Sequence, residues 1–382
     1  MPEAVIVDVV RTPIGRAFKG SLVDVRADDL GAFAVRKLME KVPEVNPADV
    51  EDLMLGAAGG DGEQSYNVAR QVALLAGLPA SVPATTVNRF CASSLQTIRM
   101  AQHAIMAGEG HTFIAAGLEA VSRAPAGGQW AFHPQLHGEG ALYDAYIPMG
   151  MTAENVAEQF NVTREAMDEY AKRSQDLAVE SQSNGFFERE ITPVPLPNGE
   201  TMTQDDGPRA GTTLEKLATL PTPFKEGGKV TAGNACPLND GAAAALVMSA
   251  DRAAELGLKP RARIVASAVT GLAPEIMGVG PIEAIARVLD RAGMTIDDID
   301  IVELNEAFAA QVVPIMEVCK IPLEKMNPHG GSIALGHPFG MTGARIMATL
   351  LNGLETDDKT FGLETMCVGG GQGMAMIVER LK

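Results

Sequence analysis

The stretch Ile296-Asp297-Asp298-Ile299-Asp300-Ile301-Val302-Glu303-Leu304 resembles Pro47-Ala48-Asp49-Val50-Glu51-Asp52-Leu53-Met54-Leu55, an acidic turn running into an apolar strand. Similar neighbours surround both copies. Leu30 to Met39 has helical apolar spacing before the first, and Ile282 to Ala292 has it before the second. After the first come a largely buried helix, Ser94 to Ala107, and a strand, Thr112 to Ala116; after the second, a helix at Thr342 to Leu354 and a strand at Phe361 to Val368. The period is too long for a solenoid, so the pattern reads as a diverged duplication of one βαβ-rich half. Strand-like and helix-like runs alternate throughout, beginning with Glu3 to Val9 and its terminator Arg11-Thr12-Pro13, which favours an α/β architecture.

Between the halves the texture changes. Loop signals cluster there, including Ala124-Pro125-Ala126-Gly127-Gly128 and Pro195-Leu196-Pro197-Asn198-Gly199, around a polar helix from Arg164 to Asn184. This middle reads as an inserted loop domain, a common place for substrate-contacting surface. The expected division is residues 1–121 for the N-terminal half, 122–229 for the loop domain, 230–265 for the return, and 266–382 for the C-terminal half.

Composition narrows the function classes. Apolar residues are 46% of the 382, enough for a large core, but aromatics are only 4%, so that core relies on aliphatic side chains and Met. A net charge of −17 repels phosphate backbones and argues against nucleic-acid binding, although a few local cations can still admit an anionic ligand. No Lys/Arg cluster reads as a membrane patch, and the longest apolar stretches, such as Ala242 to Met248, are too short to span a bilayer. The opening Met1-Pro2-Glu3-Ala4 lacks a basic, cleavable leader, and Glu379-Arg380-Leu381-Lys382 is not a peroxisomal address, so a cytoplasmic location is expected. Cys91, Cys236, Cys319 and Cys367 match no zinc spacing, no metal is expected, and reduced thiols leave room for a working one.

Cys91 lies in Thr86-Val87-Asn88-Arg89-Phe90-Cys91-Ala92-Ser93-Ser94-Leu95, after a strand and just before a helix. Unpaired N–H groups and the helix dipole there favour a thiolate and could hold an oxyanion; the plainer reading is a small buried hydrophobe. His337, in Ser332-Ile333-Ala334-Leu335-Gly336-His337-Pro338, sits in a loop whose Gly and Pro dictate a special backbone path. It could act as base towards a cysteine, or be a turn histidine satisfied by backbone. His329 is recommended only by its neighbourhood. Cys367 precedes Val368-Gly369-Gly370-Gly371-Gln372-Gly373, a glycine run that can expose N–H groups but is not a GxGxxG nucleotide loop. Asn305, in Asn305-Glu306-Ala307-Phe308-Ala309, could position a water or serve as a helix cap. Cys236 and Cys319 have no comparable setting and read as structural.

Together, Val87-Asn88-Arg89-Phe90-Cys91, Met151-Thr152-Ala153-Glu154-Asn155-Val156-Ala157, Asn305-Glu306-Ala307-Phe308-Ala309, Gly336-His337-Pro338 and Cys367-Val368-Gly369-Gly370-Gly371-Gln372-Gly373 resemble the motifs of the thiolase family, in family order. Cys91-Ala92-Ser93-Ser94, Glu275-Ile276-Met277-Gly278-Val279-Gly280-Pro281 and Phe361-Gly362-Leu363-Glu364-Thr365-Met366-Cys367 are similar to the bacterial 3-ketoacyl-CoA branch of fatty-acid β-oxidation. Pro148-Met149-Gly150 lacks the His that acetoacetyl-CoA thiolases usually place before the Met. The resemblance implies a five-layered αβαβα fold of two halves plus a loop domain, working as a homodimer. It implies coenzyme A as co-substrate and no permanently bound cofactor. It also leaves room for docking onto an enoyl-CoA hydratase/3-hydroxyacyl-CoA dehydrogenase subunit.

By the same resemblance, Cys91 is the nucleophile, His337 its base and Cys367 the acid/base. Asn305 holds an oxyanion water, and the Gly369 backbone donates to a second oxyanion. Arg209, Met149, Phe224, Cys236, Ala307 and Phe308 are implied to contact CoA. Position 236 departs from the family, where many relatives carry Ser, and Cys is a poorer hydrogen-bond partner. Competing expectations are an acetoacetyl-CoA thiolase, a ketosynthase, which Cys367 argues against, and a non-catalytic acyl-CoA-binding scaffold.

Overall fold

The computed structural model describes residues 2–124, 131–138 and 140–382; the expected loop at Pro125-Ala126-Gly127-Gly128 lies outside the described residues. Nine strands carry the architecture: β1 (Ala4–Arg11), β2 (Asp52–Gly56), β3 (Ala84–Val87), β4 (Thr112–Ala120), β5 (Asn239–Ser249), β6 (Ala262–Gly271), β7 (Ile301–Leu304), β8 (Phe361–Val368) and β9 (Gln372–Arg380). They join in the order β7-β8-β9-β6-β1-β5-β4-β2-β3, and the two halves touch through β1 and β6 at Val5↔Arg263 and Ile6↔Ala262.

The expected repeat is present in the topology. The N-terminal half runs β1-β5-β4-β2-β3 across its sheet, and the C-terminal half runs β6-β9-β8-β7 in the matching places. The fifth place, filled by β3 in the first half, is reduced in the second to a single parallel bridge between Val302 and Met326. Each compared segment forms a short 3-10 turn, Pro47–Asp49 or Ile296–Asp298, followed by a strand in a parallel pair. Strand β2 begins only at Asp52, because the Val50 amide is spent closing the turn onto the Pro47 carbonyl.

Helices α1 (Ala27–Lys41), α2 (Val68–Leu75), α3 (Ser93–Ala107), α4 (Met149–Gln159), α5 (Arg164–Ser183), α6 (Gly280–Ala292), α7 (Ala309–Cys319) and α8 (Thr342–Thr356) complete the layers. Strand periodicity sends alternate side chains to opposite cores. In β1, Val5, Val7 and Val10 join the outer core beneath α1 and α2, while Ala4, Ile6 and Val9 join a central one. The change of parity after Val7 follows from a bulge between Ile6 and Asp8. The central core takes Leu95, Ile98 and Ala101 of α3 and Ile346, Met347 and Leu350 of α8, between residues of both half-sheets. A third core, with Ile285 and Val288 of α6 and Val312 and Ile315 of α7, covers the far face. The result is helices, half-sheet, α3 with α8, half-sheet, helices.

The central helices approach closely where they begin. A Cβ on Gly343 would lie 2.2 Å from the Leu95 backbone N, so only glycine permits this crossing. Ser94 accepts the Ala344 N–H at 2.9 Å, pairing a donor in the first turn of α8. Buried Arg11 ties the inserted segment to β1 through Glu190 at 2.6 Å and Asp205 at 2.8 Å. Among the described residues no helix is long and apolar enough to cross a membrane.

Candidate active site

Cys91 enters the seam on a strained turn. Beyond β3, Asn88 Oδ1 accepts the Phe90 N–H at 2.8 Å, and Ser93 Oγ accepts from Arg89 N–H at 2.9 Å while donating to the Phe90 carbonyl at 2.7 Å. These bonds hold Phe90 at φ +45°, a left-handed conformation that costs a bulky residue roughly 1–2 kcal/mol. The 3-10 turn Phe90–Ala92 then presents Cys91 directly before α3. That turn packs against both β8, which carries Cys367, and α8. The N–H groups of Gly369 and of Cys91 itself reach the Cys91 sulfur and favour its thiolate. Burial and the neighbouring thiols of Cys367 and Cys236 outweigh them and hold the Cys91 pKa well above the ordinary thiol range. The helix terminus supplies donors, therefore, without making a resting thiolate.

His337 arrives from the other half by the equivalent connection, between the Met326 bridge and α8. Gly336 takes φ +115°, and a Cβ there would lie 2.6 Å from the Asn239 side chain. Asn239 Oδ1 accepts the His337 N–H at 2.9 Å. The ring is buried, with Nδ1 2.6 Å from Thr342 Oγ1. Thr342 donates its one hydroxyl proton to the Pro338 carbonyl at 2.7 Å, so it must accept from His337. Nδ1 therefore carries the proton and Nε2 offers a lone pair. Burial, reinforced by Arg345, lowers the imidazole pKa to about 3 and keeps the ring neutral.

Nε2 faces Asn305 Nδ2 at 3.3 Å. Gln311, on α7, bridges to the second thiol: its Nε2 donates to the Asn305 carbonyl at 3.3 Å, and its Oε1 accepts from Cys367 Sγ at 3.2 Å. Burial pushes the Cys367 thiol up to about 11, although the Gln311 bond opposes this. Glu306 anchors the same turn, accepting from Tyr170 Oη at 2.8 Å, Ser174 Oγ at 2.6 Å, Asn327 Nδ2 at 2.8 Å and Ile333 N at 3.1 Å. Cys236 donates its N–H to the Ala307 carbonyl at 3.0 Å. Burial, followed by Cys367, raises its own thiol pKa. Read from the sequence as structural apart from the resemblance, Cys236 is thus a third thiol of the same pocket.

The remaining expected contacts divide. Phe224 lies over Gly150, where a Cβ would meet its ring at 2.3 Å, beside Met149 at the start of α4. Phe224 is 42% exposed, so it can offer an aromatic face to a ligand. Arg209 is exposed, its N–H donates to Gln175 Oε1 at 2.8 Å, and the charge acting on it is that of Arg16 rather than a carboxylate. Ala307 and Phe308 are buried and form wall rather than rim. His329 stacks on Phe186 at 3.7 Å and faces Asp357 at 3.3 Å, and Cys319 closes α7; neither joins the thiol cluster. Sequence reasoning missed Gln311, Glu306, Thr342, Ser332 and Arg345, whose contacts cross between elements. The arrangement brings together a buried thiol, Cys367, two half-buried ones, Cys91 and Cys236, a neutral imidazole whose Nε2 lone pair faces the Asn305 amide, and convergent backbone donors, as acyl transfer through sulfur requires.

Comparison with known proteins identifies the family over the whole chain. Residues 4–251 match the family model described as thiolase, N-terminal domain, and residues 258–380 match thiolase, C-terminal domain. A beta-ketoadipyl-CoA thiolase of Acinetobacter baylyi is 47% identical over 406 aligned positions, covering 100% of both chains. A 3-ketoacyl-CoA thiolase of Idiomarina loihiensis is 46% identical over 389 positions, again covering 100% of both. Human mitochondrial 3-ketoacyl-CoA thiolase superposes with a TM-score of 0.92 at 36% identity, covering 100% of this chain and 99% of that one.

Proposed function

This chain belongs to the thiolase family of acyltransferases, and from that premise we propose that it is a degradative 3-ketoacyl-CoA thiolase. It cleaves 3-ketoacyl-CoA with free CoA, giving acetyl-CoA and an acyl-CoA two carbons shorter. The observation that carries the reading is the neutral, Nδ1-protonated His337 in the seam where Cys91 and Cys367 are brought together. His337 Nε2 takes the Cys91 proton, and the thiolate attacks the 3-keto carbon. Collapse breaks the C2–C3 bond, leaving the acyl group on Cys91 and expelling an acetyl-CoA enolate that the Cys367 thiol protonates. The Cys367 thiolate then deprotonates CoA, whose sulfur attacks the acyl-Cys91 thioester. Cys91 leaves as thiolate and recovers its proton from His337.

The Asn305 amide, through a bound water, and protonated His337 stabilise the enolate oxygen. The N–H groups of Cys91 and Gly369 stabilise the second oxyanion, and one such donor is worth roughly 3 kcal/mol in other acyl-transfer enzymes. Arg209, Met149 and Phe224 line the CoA approach, with Cys236, Ala307 and Phe308 at its inner wall. Strand β3, with no outer neighbour in the described sheet, supports a homodimer joined at that edge.

The degradative assignment is supported by alignment length. Matching the Idiomarina loihiensis 3-ketoacyl-CoA thiolase takes 389 positions against this chain's 382 residues, whereas the beta-ketoadipyl-CoA thiolase takes 406 and so needs more insertions. The slightly higher identity to the latter favours a second reading, a substrate with a terminal carboxylate. Thiolysis rates on unbranched 3-ketoacyl-CoAs of increasing length, beside 3-ketoadipyl-CoA, decide between them. The proposed function requires kcat/KM to be highest on an uncharged chain longer than acetoacetyl. A preference for 3-ketoadipyl-CoA would replace it with the second reading.

A further inference from the structure

An amide in an active site is useful only if it stays the right way round, and nothing in Asn305 itself distinguishes its oxygen end from its nitrogen end. The surrounding proton count does. Arg345 is buried on α8, and its Nη2 donates to Ser332 Oγ at 2.6 Å. A guanidinium only donates, so the serine hydroxyl must accept from it. The single Ser332 proton then goes to Asn305 Oδ1, also at 2.6 Å. The amide NH2 is left facing His337 Nε2 at 3.3 Å. The chain from Thr342 gives the same answer from the other side, since it leaves Nε2 as an acceptor.

We propose that Ser332 and Arg345 are positioning residues that lock the Asn305 amide with its nitrogen towards His337, and that this lock keeps His337 in its Nδ1–H form. The inference rests on the base role of His337 and the oxyanion role of Asn305 proposed above. A reversed amide would set Oδ1 against Nε2, an arrangement satisfied only when Nε2 is protonated. Reversal therefore takes away the base and, with it, the donor for the enolate-binding water.

The surrounding charges fit a fixed cation at the head of the chain. Arg345 is the charged group acting on His337. Arg345 is itself faced by Glu303, Glu190, Asp205 and Arg11, and it acts on Glu364. Glu303 and Glu364 are register neighbours on β7 and β8, and burial lifts both carboxyl pKa values, that of Glu303 to about 8. Neither makes a hydrogen bond to Arg345, whose Nε is unpaired, so its bond to Ser332 is not in competition with a carboxylate fork. Cys91, Cys367 and Cys236, with Glu306 behind Cys236, complete the titratable groups of the pocket.

The test compares full-length wild type, Ser332→Ala, Ser332→Thr and Cys91→Ala for kcat, KM, the pH profile of kcat/KM and the histidine ring-nitrogen NMR signals. Ser332→Ala is expected to lower kcat about tenfold, the scale of one lost hydrogen bond, with KM changed by less than about twofold. The acid limb of kcat/KM should move to higher pH and the His337 signals should show Nε2 gaining a proton, while Ser332→Thr, which keeps the hydroxyl, restores both. An unmoved acid limb and an unchanged tautomer in Ser332→Ala overturn the lock. So does a loss of activity that tracks thermal stability and is not rescued by threonine. Should the alanine variant fail to fold, Ser332→Cys, a weaker donor, is read by the same tautomer signals and pH limb. Turnover by Cys91→Ala would instead sink the proposed function itself, so the two failures are separable.

Discussion

The two halves solve the same topological problem with different completeness, and the seam that holds the candidate active site lies between their equivalent connections. In the first half a full parallel strand, β3, leads through the strained Phe90 turn to Cys91 and α3. In the second a single bridge at Met326 does the work of that strand before the chain reaches His337 and α8. The link between paired strands differs in the opposite sense. Between β4 and β5 the first half carries the inserted segment, whereas β8 and β9 are joined by a turn at Val368–Gln372 that places Gly369 against Phe90. A duplicated fold has thus diverged where its copies meet: one copy supplies the thiol and covering loops, the other supplies the imidazole, the second thiol and a short turn of backbone donors.

If that division is right, removing either half's contribution should abolish turnover. Cys91→Ala and His337→Ala are each expected to lower kcat/KM at least about a thousandfold in a thiolysis assay, with unchanged circular dichroism. Near-normal activity in either variant would break the symmetry of the account. The seam itself can be forced apart with Gly343→Ala, whose Cβ would meet the Leu95 backbone N at 2.2 Å. Overpacking of this kind costs about 1–3 kcal/mol, towards the upper end where backbone must move, and denaturant titration should show it as a lower midpoint.

Glu306→Gln tests the anchor of the turn that follows β7 and carries Asn305. The carboxylate accepts four hydrogen bonds, and an amide NH2 in its place must oppose at least one donor, for a loss of about 1–3 kcal/mol. Ser94→Ala, which unpairs the Ala344 amide, should cost about 1 kcal/mol in the same titration. A pH experiment sharpens the Cys91 side. Because burial raises its thiol pKa and His337 stays neutral, alkylation of Cys91 by iodoacetamide should quicken continuously as pH rises through and beyond 9. A plateau near neutral pH would reveal a resting thiolate–imidazolium pair.

Much of this plan is legible in the sequence. The two acidic-turn segments betray the repeat because 3-10 turn and parallel strand must be encoded locally, and the helix from Ser94 to Ala107 reads as largely buried from its apolar majority. Cys91, His337 and Cys367 stand out because each borders glycine, proline or a helix start. What is hidden is whatever depends on contact across the seam. Gln311 is one polar residue in an apolar helix until Cys367 and Asn305 are placed beside it. Thr342 and Ser332 read as ordinary helix-start residues until proton counting gives them direction. The left-handed backbone at Phe90 has no signature at all, since it is imposed by the Asn88 and Ser93 side chains on a residue that disfavours it. The burial that keeps Cys91 protonated is likewise invisible in a motif that, read alone, promises a thiolate.

The central claim is that Cys91, among three neighbouring thiols, carries the acyl group. Peptide mass spectrometry after incubation with 3-ketooctanoyl-CoA, free CoA withheld, tests it most directly. The account expects hexanoyl on the Cys91 peptide, with acetyl-CoA released in equal amount and nothing added to Cys367 or Cys236. Acyl transfer to either of those cysteines, or acetyl-CoA release with Cys91 unmodified, would contradict it.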